Sequence, residues 1–391
     1  MSDPNTLANT VLETSLRILK HRFPYVYSNS IARLTKPERR NILWRVNLEG
    51  TGTPDSVIVK QRDPDLFDVT KPKAFGARGF LDDWAGLEFI SEVFAGEGLA
   101  PRFLGGDTHA GLFVMEDINP KAELYDNSLV DPLLDGSSRD ATEALEQMMR
   151  LLGHLHGVSV KYLDKYRELR RAHDLNWDGA VSQSILAGLA NGVEQLEVHI
   201  QAMPAEFHNE LTVLKKQFMQ PSTLTVFGHA DACPDNWVFS NGVLKLIDFE
   251  FSGLMSVGVD ASFARLPFPT CWCSATLPRD VIEQLEHVYR EEAGHAIPEV
   301  LNDDVFNRMM ADALVAWTFH TFQWSKNIKV EDQEWGINSI RARILQRLNL
   351  LITTSNIETH YPAIVDAARE LRHTLLSQWG EVTLEPYDAF A

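Results

Sequence analysis

Apolar positions along this chain change their spacing several times, and each change marks an element. Residues 5–22 repeat at a helical interval: Leu7, Val11, Leu12, Ser15, Ile18 and Leu19 fall near one face, and Asp3-Pro4-Asn5 supplies a start signal. Three strand-like runs follow, Tyr27 to Leu34, Asn41 to Leu48 and Ser56 to Gln61. Thr35 to Arg40 joins the first two, and Gly50-Thr51-Gly52-Thr53-Pro54-Asp55 is a turn before the third. The helical period returns over Leu81 to Ala95, where Trp84, Leu87, Ile90, Val93 and Phe94 define a buried stripe with Asp83 in its middle. Gly96 and Gly98 stop this helix, and Arg102 to Gly105 and Leu112 to Met115 read as two more strands. The pattern predicts a small antiparallel five-stranded lobe with one main helix. After Glu116-Asp117-Ile118 and a polar connecting segment over 119–140, the period is mostly helical: Asp140 to Val158, two helices within 178–220 broken near Met203-Pro204, and a helical, aromatic last third. The expected class is α+β, with a small lobe over 1–118 (the leading helix included) and a helical lobe over 119–391.

Between the helical stretches lies Val226-Phe227-Gly228-His229-Ala230-Asp231-Ala232-Cys233-Pro234-Asp235-Asn236, followed after the turn Asn241-Gly242 by Leu244-Lys245-Leu246-Ile247-Asp248-Phe249-Glu250. An Asp five residues before an Asn, with a second Asp ending an apolar run, is a phosphoryl-transfer arrangement. The first, Asp231, can accept a hydroxyl proton and aim the nucleophile. Asn236 and Asp248 offer hard oxygens to magnesium, which tolerates few protein ligands. The spacing matches the protein-kinase signature H-R-D-x-x-x-x-N plus D-F-G, with Ala230 in place of Arg. A plainer reading makes Asp235-Asn236 a turn and Asp248 a strand-end cap. Earlier, Val57-Ile58-Val59-Lys60 ends a strand as the phosphate-reaching lysine of kinases does, although edge lysines are common. Such a lysine needs a carboxylate from the next helix, and Asp83 is the candidate. The alternative is that Asp82 and Asp83 favour the helix N-terminus.

At these residues the chain resembles the aminoglycoside phosphotransferase and choline kinase group, whose loop reads roughly H-G-D-x-x-x-x-N and whose metal aspartate sits in I-D-[FW]-E. Here the matching residues are His229, Ala230, Asp231, Asn236 and Ile247-Asp248-Phe249-Glu250. Ala230 departs from the usual Gly, and Asp83 from the usual Glu. The resemblance implies a bilobal protein kinase-like fold and transfer of the ATP γ-phosphate to a hydroxyl of an aminoglycoside, amino alcohol or sugar. In it Asp231 is the base, magnesium sits on Asn236 and Asp248, and Lys60 and Asp83 serve the nucleotide. Glu116 to Ile118 would be the hinge whose backbone reads the adenine edge. His229 would fix the loop, Asp260 would brace it from the next helix, and Glu250 would stand behind the site or toward the acceptor. The loop over 35–40 lies where kinases carry glycines over the phosphates. It has none, although Lys36, Arg39, Arg40 and the backbone could contact phosphate.

Composition narrows the partners. The 391 residues carry 36 basic and 54 acidic side chains, a net charge of −18, which argues against nucleic acid and suits either a cationic acceptor or mere solubility. No run of about 18 apolar residues and no signal peptide is visible, which points to a cytoplasmic protein without a membrane partner. Cys233, Cys271 and Cys273 form no disulfide framework, and a single C-x-C pair without a second pair or His at finger spacing argues against zinc. Trp317 and Trp324, seven apart, fall on one helix face as core or as rings for a cation. Only a short segment separates Glu250 from Val259-Asp260-Ala261, where a protein kinase carries an activation segment and A-P-E. A small-molecule kinase is the leading expectation, and a catalytically weak nucleotide-binding regulator is the alternative.

Overall fold

The computed structural model describes residues 4–35, 41–62, 75–122, 126–173, 181–220, 222–324 and 331–391. Its contacts divide the chain into two compact units, which interleave along the sequence. The first takes 1–128, 164–177 and 238–251, and the second takes 129–163, 178–237 and 252–391.

In the first unit the chain runs through α1 (Pro4–Lys20), β1 (Tyr27–Arg33), β2 (Asn41–Glu49), β3 (Ser56–Arg62), α2 (Phe75–Val93), β4 (Phe103–Asp107) and β5 (Leu112–Glu116). The strands form one sheet in the order β1-β2-β3-β5-β4, every neighbour antiparallel, so the expected α+β class with a five-stranded sheet is what the chain adopts. Alternation decides which face is dry. Ile42, Trp44, Val46 and Leu48 of β2, Val57 and Val59 of β3, and Leu112 and Val114 of β5 pack on Val11, Ile18 and Leu19 of α1. The strand β3 is buried throughout. With a period of two, Ile58 and Lys60 face away from α1.

Aromatic packing fixes α2. The Trp84 ring meets those of Phe80, Phe103 and Phe113 at centroid distances of 6.2, 5.7 and 5.9 Å. Gly106 of β4 lies so near the indole that a Cβ there would come within 2.2 Å of it, so this position must be glycine. The helix begins at Phe75, one and a half turns before the expected Leu81. Gly76 and Gly79 disfavour helix locally, and the packing of Phe80 and Trp84 overrides them. Asp82 and Asp83 therefore lie well inside the helix rather than at its N-terminus. Asp82 pairs with the buried Arg170 of the helix Leu163–Ala172, and Glu88 accepts from the Trp84 indole at 3.1 Å and stands 3.1 Å from His173. That helix is absent from the sequence reading because it is short and strongly polar, with Tyr166, Leu169 and Arg170 its buried residues. A second unforeseen helix, Val130–Leu134, lies in the polar connecting segment. The strands Trp237–Ser240 and Val243–Leu246 make the expected hairpin; Asn241 and Gly242 have φ of 52° and 79°, the left-handed pair that a tight two-residue turn needs. The basic loop at Lys36, Arg39 and Arg40 lies outside the described residues.

The second unit is helical around a two-stranded ladder, Thr225–Gly228 against Gly253–Ser256. The helix Ser138–Ser159 starts at a reciprocal cap between Ser137 and Asp140 and packs against Arg279–Gly294. Val181–His199 packs against Asp303–His320, and Ile340–Thr353 against Pro362–Trp379. Trp317 is buried; its indole donates to the Val259 carbonyl at 3.1 Å and its ring meets Phe263 edge-on, so it belongs to the core. The Trp324 side chain lies outside the described residues. Among the described residues no helix is long and apolar enough to cross a membrane.

Replacing Arg170 by Met strands the Asp82 carboxylate in a buried position. We expect urea unfolding to show a loss of about 3–5 kcal/mol, much of it recovered when Asp82→Asn is added. Equal stability of Arg170→Met and the parent would contradict this role for the pair.

Candidate active site

Lys60 is delivered by the central strand, opposite Leu43 on β2 and Phe113 on β5. Its ammonium lies 2.5 Å from Asp83 Oδ2 and 2.7 Å from Asp248 Oδ1. The other Asp83 oxygen accepts the Phe249 N–H at 2.8 Å. One carboxylate on α2 thus ties the strand lysine to the segment 248–250, and among the acids of that helix it is Asp83, not Glu88, that meets the lysine. Asp248 itself sits at φ 65°, a left-handed conformation that non-glycine residues seldom hold without compensation, and its side chain keeps 40% of its exposure.

The electrostatics of this cluster are one-sided. Burial works to strip the proton from Lys60, but Asp248, Asp83 and Glu250 together hold the ammonium charged, above its usual range. Burial pushes Asp83 up to about 6; Lys60 opposes the rise, and the Asp248 and Glu250 charges add to it. Three carboxylates face one ammonium, a surplus of negative charge that a hard cation would relieve.

Glu116 and Ile118 lie elsewhere in this unit and take no part in the Lys60 cluster. Glu116 accepts from the Arg102 N–H at 3.1 Å and stands 3.7 Å from Lys245. The Ile118 carbonyl accepts from Ser240 Oγ at 2.8 Å, while its N–H makes no hydrogen bond among the described residues.

In the second unit the strand Thr225–Gly228 leads directly into His229, Ala230 and Asp231. Asp260, fully buried in the short helix Gly258–Ala261, accepts the His229 N–H on one oxygen and the Ala230 N–H on the other, both at 2.7 Å. His156 Nε2 lies 3.2 Å from the same carboxylate, and its Nδ1 is 2.7 Å from the Tyr289 hydroxyl. Burial alone would raise the Asp260 carboxyl, but His156 and His229 hold it below its ordinary value. The clamp leaves no room at Gly228, where a Cβ would stand 2.6 Å from Asp260 Oδ2. It also holds Ala230 at φ 59°. The preference for glycine at this place in related loops has its physical cause here.

Asp231 is oriented from three sides. Thr270 Oγ1 donates to Oδ1 at 2.5 Å, Cys233 Sγ donates to the same oxygen at 3.1 Å, and Asn236 Nδ2 reaches the main-chain oxygen at 2.8 Å and Oδ2 at 3.3 Å. A one-turn helix, Pro234–Asn236, makes this folding-back possible. Because the Asn236 amide nitrogen is spent on Asp231, its oxygen, which makes no hydrogen bond among the described residues, is the atom left for a ligand.

The first unit thus holds a lysine bridged by two aspartates on an antiparallel sheet, and the second an aspartate-asparagine loop clamped from behind. The model of the phosphotransferase enzyme family (APH) matches residues 50–298. The chain belongs to that family and is a small-molecule phosphotransferase. No curated protein sequence matches it. Solved structures similar to it include an ethanolamine kinase of Plasmodium vivax, 13% identical with a TM-score of 0.48 over 85% of each chain. A choline kinase from Cryptosporidium parvum is 13% identical, with a TM-score of 0.47 over 96% of this chain and 99% of its own. An aminoglycoside phosphotransferase from Alicyclobacillus acidocaldarius is 12% identical, with a TM-score of 0.42 over 88% and 92%.

Three participants carry no motif and escaped the sequence reading. Thr270 comes from the Pro-broken stretch Leu266 to Cys273, where the flanking Pro267 and Pro269 were the available signal of a shaped loop. Cys233 lies inside the recognised loop but reads as filler, and so does Asp235, which accepts from the Trp272 indole at 2.9 Å.

Ala230→Gly removes the left-handed strain and should raise stability by about 1 kcal/mol in chemical denaturation. No gain, or a loss, would mean that the loop is not strained at this residue.

Proposed function

We propose that this protein moves the γ-phosphate of ATP to a hydroxyl of a small molecule of the amino alcohol, aminoglycoside or sugar class. The observation that carries the reading is Lys60 held between Asp83 and Asp248 on the central strand, a charged group kept in place for phosphate oxygens. In this reading Asp231, aimed by Thr270 and Asn236, accepts the acceptor's proton as the hydroxyl attacks. Lys60 steadies the phosphates, and the backbone at Glu116 to Ile118 receives the base. Asn236 and Asp248 would hold magnesium. Their hard oxygens and the negative surplus around Asp248 suit that ion, which would supply charge neutralisation for the phosphates.

The net charge of −18 suits a cationic acceptor. Ethanolamine and choline, named for two of the similar structures, are the first of that kind to try. The regulator reading drew on the missing glycine loop and on the shorter Asp83 in place of Glu; the contact of Asp83 with Lys60 at 2.5 Å speaks against the second of these motives.

Asp231→Asn should lower turnover by about 10²–10⁴-fold while nucleotide affinity stays within about twofold; undiminished turnover removes Asp231 from the role of base. Asp83→Asn leaves Lys60 with one partner fewer and should raise the KM for nucleotide roughly tenfold, the equivalent of about 1.4 kcal/mol. An unaltered nucleotide dependence would mean that Asp83 only packs.

A further inference from the structure

The chain has three cysteines, and the second unit brings all three to one buried place beside Asp231. Cys271 Sγ lies 2.8 Å from Cys273 Sγ and 3.5 Å from Asp235 Oδ1, and Cys233 Sγ lies 3.1 Å from Thr270 Oγ1. The ligand atoms of Cys233, Asp235 and Cys271 all fall within 4.8 Å of one another. Separations of this order are what a single ion bound by two sulfurs and an oxygen imposes, since each metal bond is about 2.0–2.3 Å long.

A second observation concerns charge. Arg343 and Arg347 are buried behind this cluster, 2% and 3% exposed. Arg343 donates to the carbonyls of Cys271 at 2.5 Å, Trp272 at 2.8 Å and Trp335 at 2.5 Å, and Arg347 donates to that of Pro269 at 2.9 Å. Neither guanidinium has a carboxylate partner among the described residues. Buried charges without a counter-charge are costly, and the groups able to supply one here are the thiols. The burial of Arg347, together with its neighbour Arg343, pushes it down to about 9. The Tyr387 hydroxyl is also buried, has no hydrogen-bond partner among the described residues, and feels the charge of all three cysteines.

We propose that Cys233, Asp235 and Cys271 bind a thiophilic divalent cation of the zinc class, which ties the loop Leu266 to Cys273 to the loop that carries Asp231. Two thiolates and one carboxylate around such an ion leave an excess negative charge, set beside the two buried guanidiniums. Binding displaces the thiol protons to solvent as the ion takes their place. The function of the ion is mechanical. Thr270 is the residue next to Cys271, and fixing Cys271 to Cys233 fixes the donor that aims Asp231. The lone C-x-C spacing argued against zinc because the partner sulfur comes from Cys233, far away in sequence, and only the fold unites them.

The test uses the full chain, purified under reducing conditions with zinc present. Metal analysis after desalting should find about one equivalent of zinc per chain. Cobalt added to chelator-treated protein should give thiolate-to-metal absorption, with binding at least about 100-fold weaker in Cys233→Ser and in Cys271→Ser. The wild-type spectrum stands by itself if either variant fails to fold. The proposal is overturned if fully reduced wild-type protein takes up neither zinc nor cobalt. It is equally overturned if both variants bind as the parent does, or if a Cys271–Cys273 disulfide forms, with a mass lower by about two and one remaining thiol, and its reduction restores no metal binding.

Discussion

A buried ammonium is the constraint around which the first unit is arranged. Lys60 stands on the central strand with two carboxylates in contact, and neither its charge nor its position would survive without them. Each neighbouring feature contributes to that placement. The α1 face of the sheet is packed solid, which leaves the opposite face of β3 for the lysine. Trp84 and Gly106 set the height of α2, and that height puts Asp83 over the strand. Arg170 takes Asp82, so the adjacent carboxylates on α2 do not compete for one partner. Phe249 N–H then anchors the segment carrying Asp248 to the same Asp83.

The second unit solves a different problem, that of holding the Asp231 carboxylate in a fixed orientation on a loop. A loop is a poor platform unless its backbone is tied down. Asp260 does this with two short bonds to consecutive N–H groups, and His156 and Tyr289 hold Asp260 in turn. The cost is a left-handed alanine at 230. Thr270 and Asn236 then act on Asp231 directly, one from a distant loop and one from the same turn. Preorganisation of this kind is what the proposed proton acceptor would need in order to meet a hydroxyl without rearranging.

The sheet, its strand boundaries and its leading helix were legible in the sequence because alternation and helical period are strong signals on a half-buried sheet and an amphipathic helix. The start of α2 was not, because two glycines hid a helix that aromatic packing enforces. Leu163–Ala172 was not, because a polar helix held by one buried arginine has little period to read. Of the candidate site, Lys60, Asp231, Asn236 and Asp248 stand in motifs whose spacing is local, and Asp83 in a helical stripe, so the sequence could propose them. Thr270, the cysteines and the buried arginines act through contacts between segments tens of residues apart, which no spacing records. Asp83 in place of Glu looked like a weakness in sequence, but the depth of α2 brings the shorter side chain into contact.

Phosphoryl transfer itself is the claim on which these assignments converge. The direct measurement is to incubate the full chain with γ-labelled ATP and magnesium against separate panels of amino alcohols, aminoglycosides and sugars, and to follow the label. The account predicts label on one class of small molecule, with matching ADP release that is lost without magnesium. Label found on protein alone, or tight nucleotide binding with no transfer to any hydroxyl offered, would contradict it.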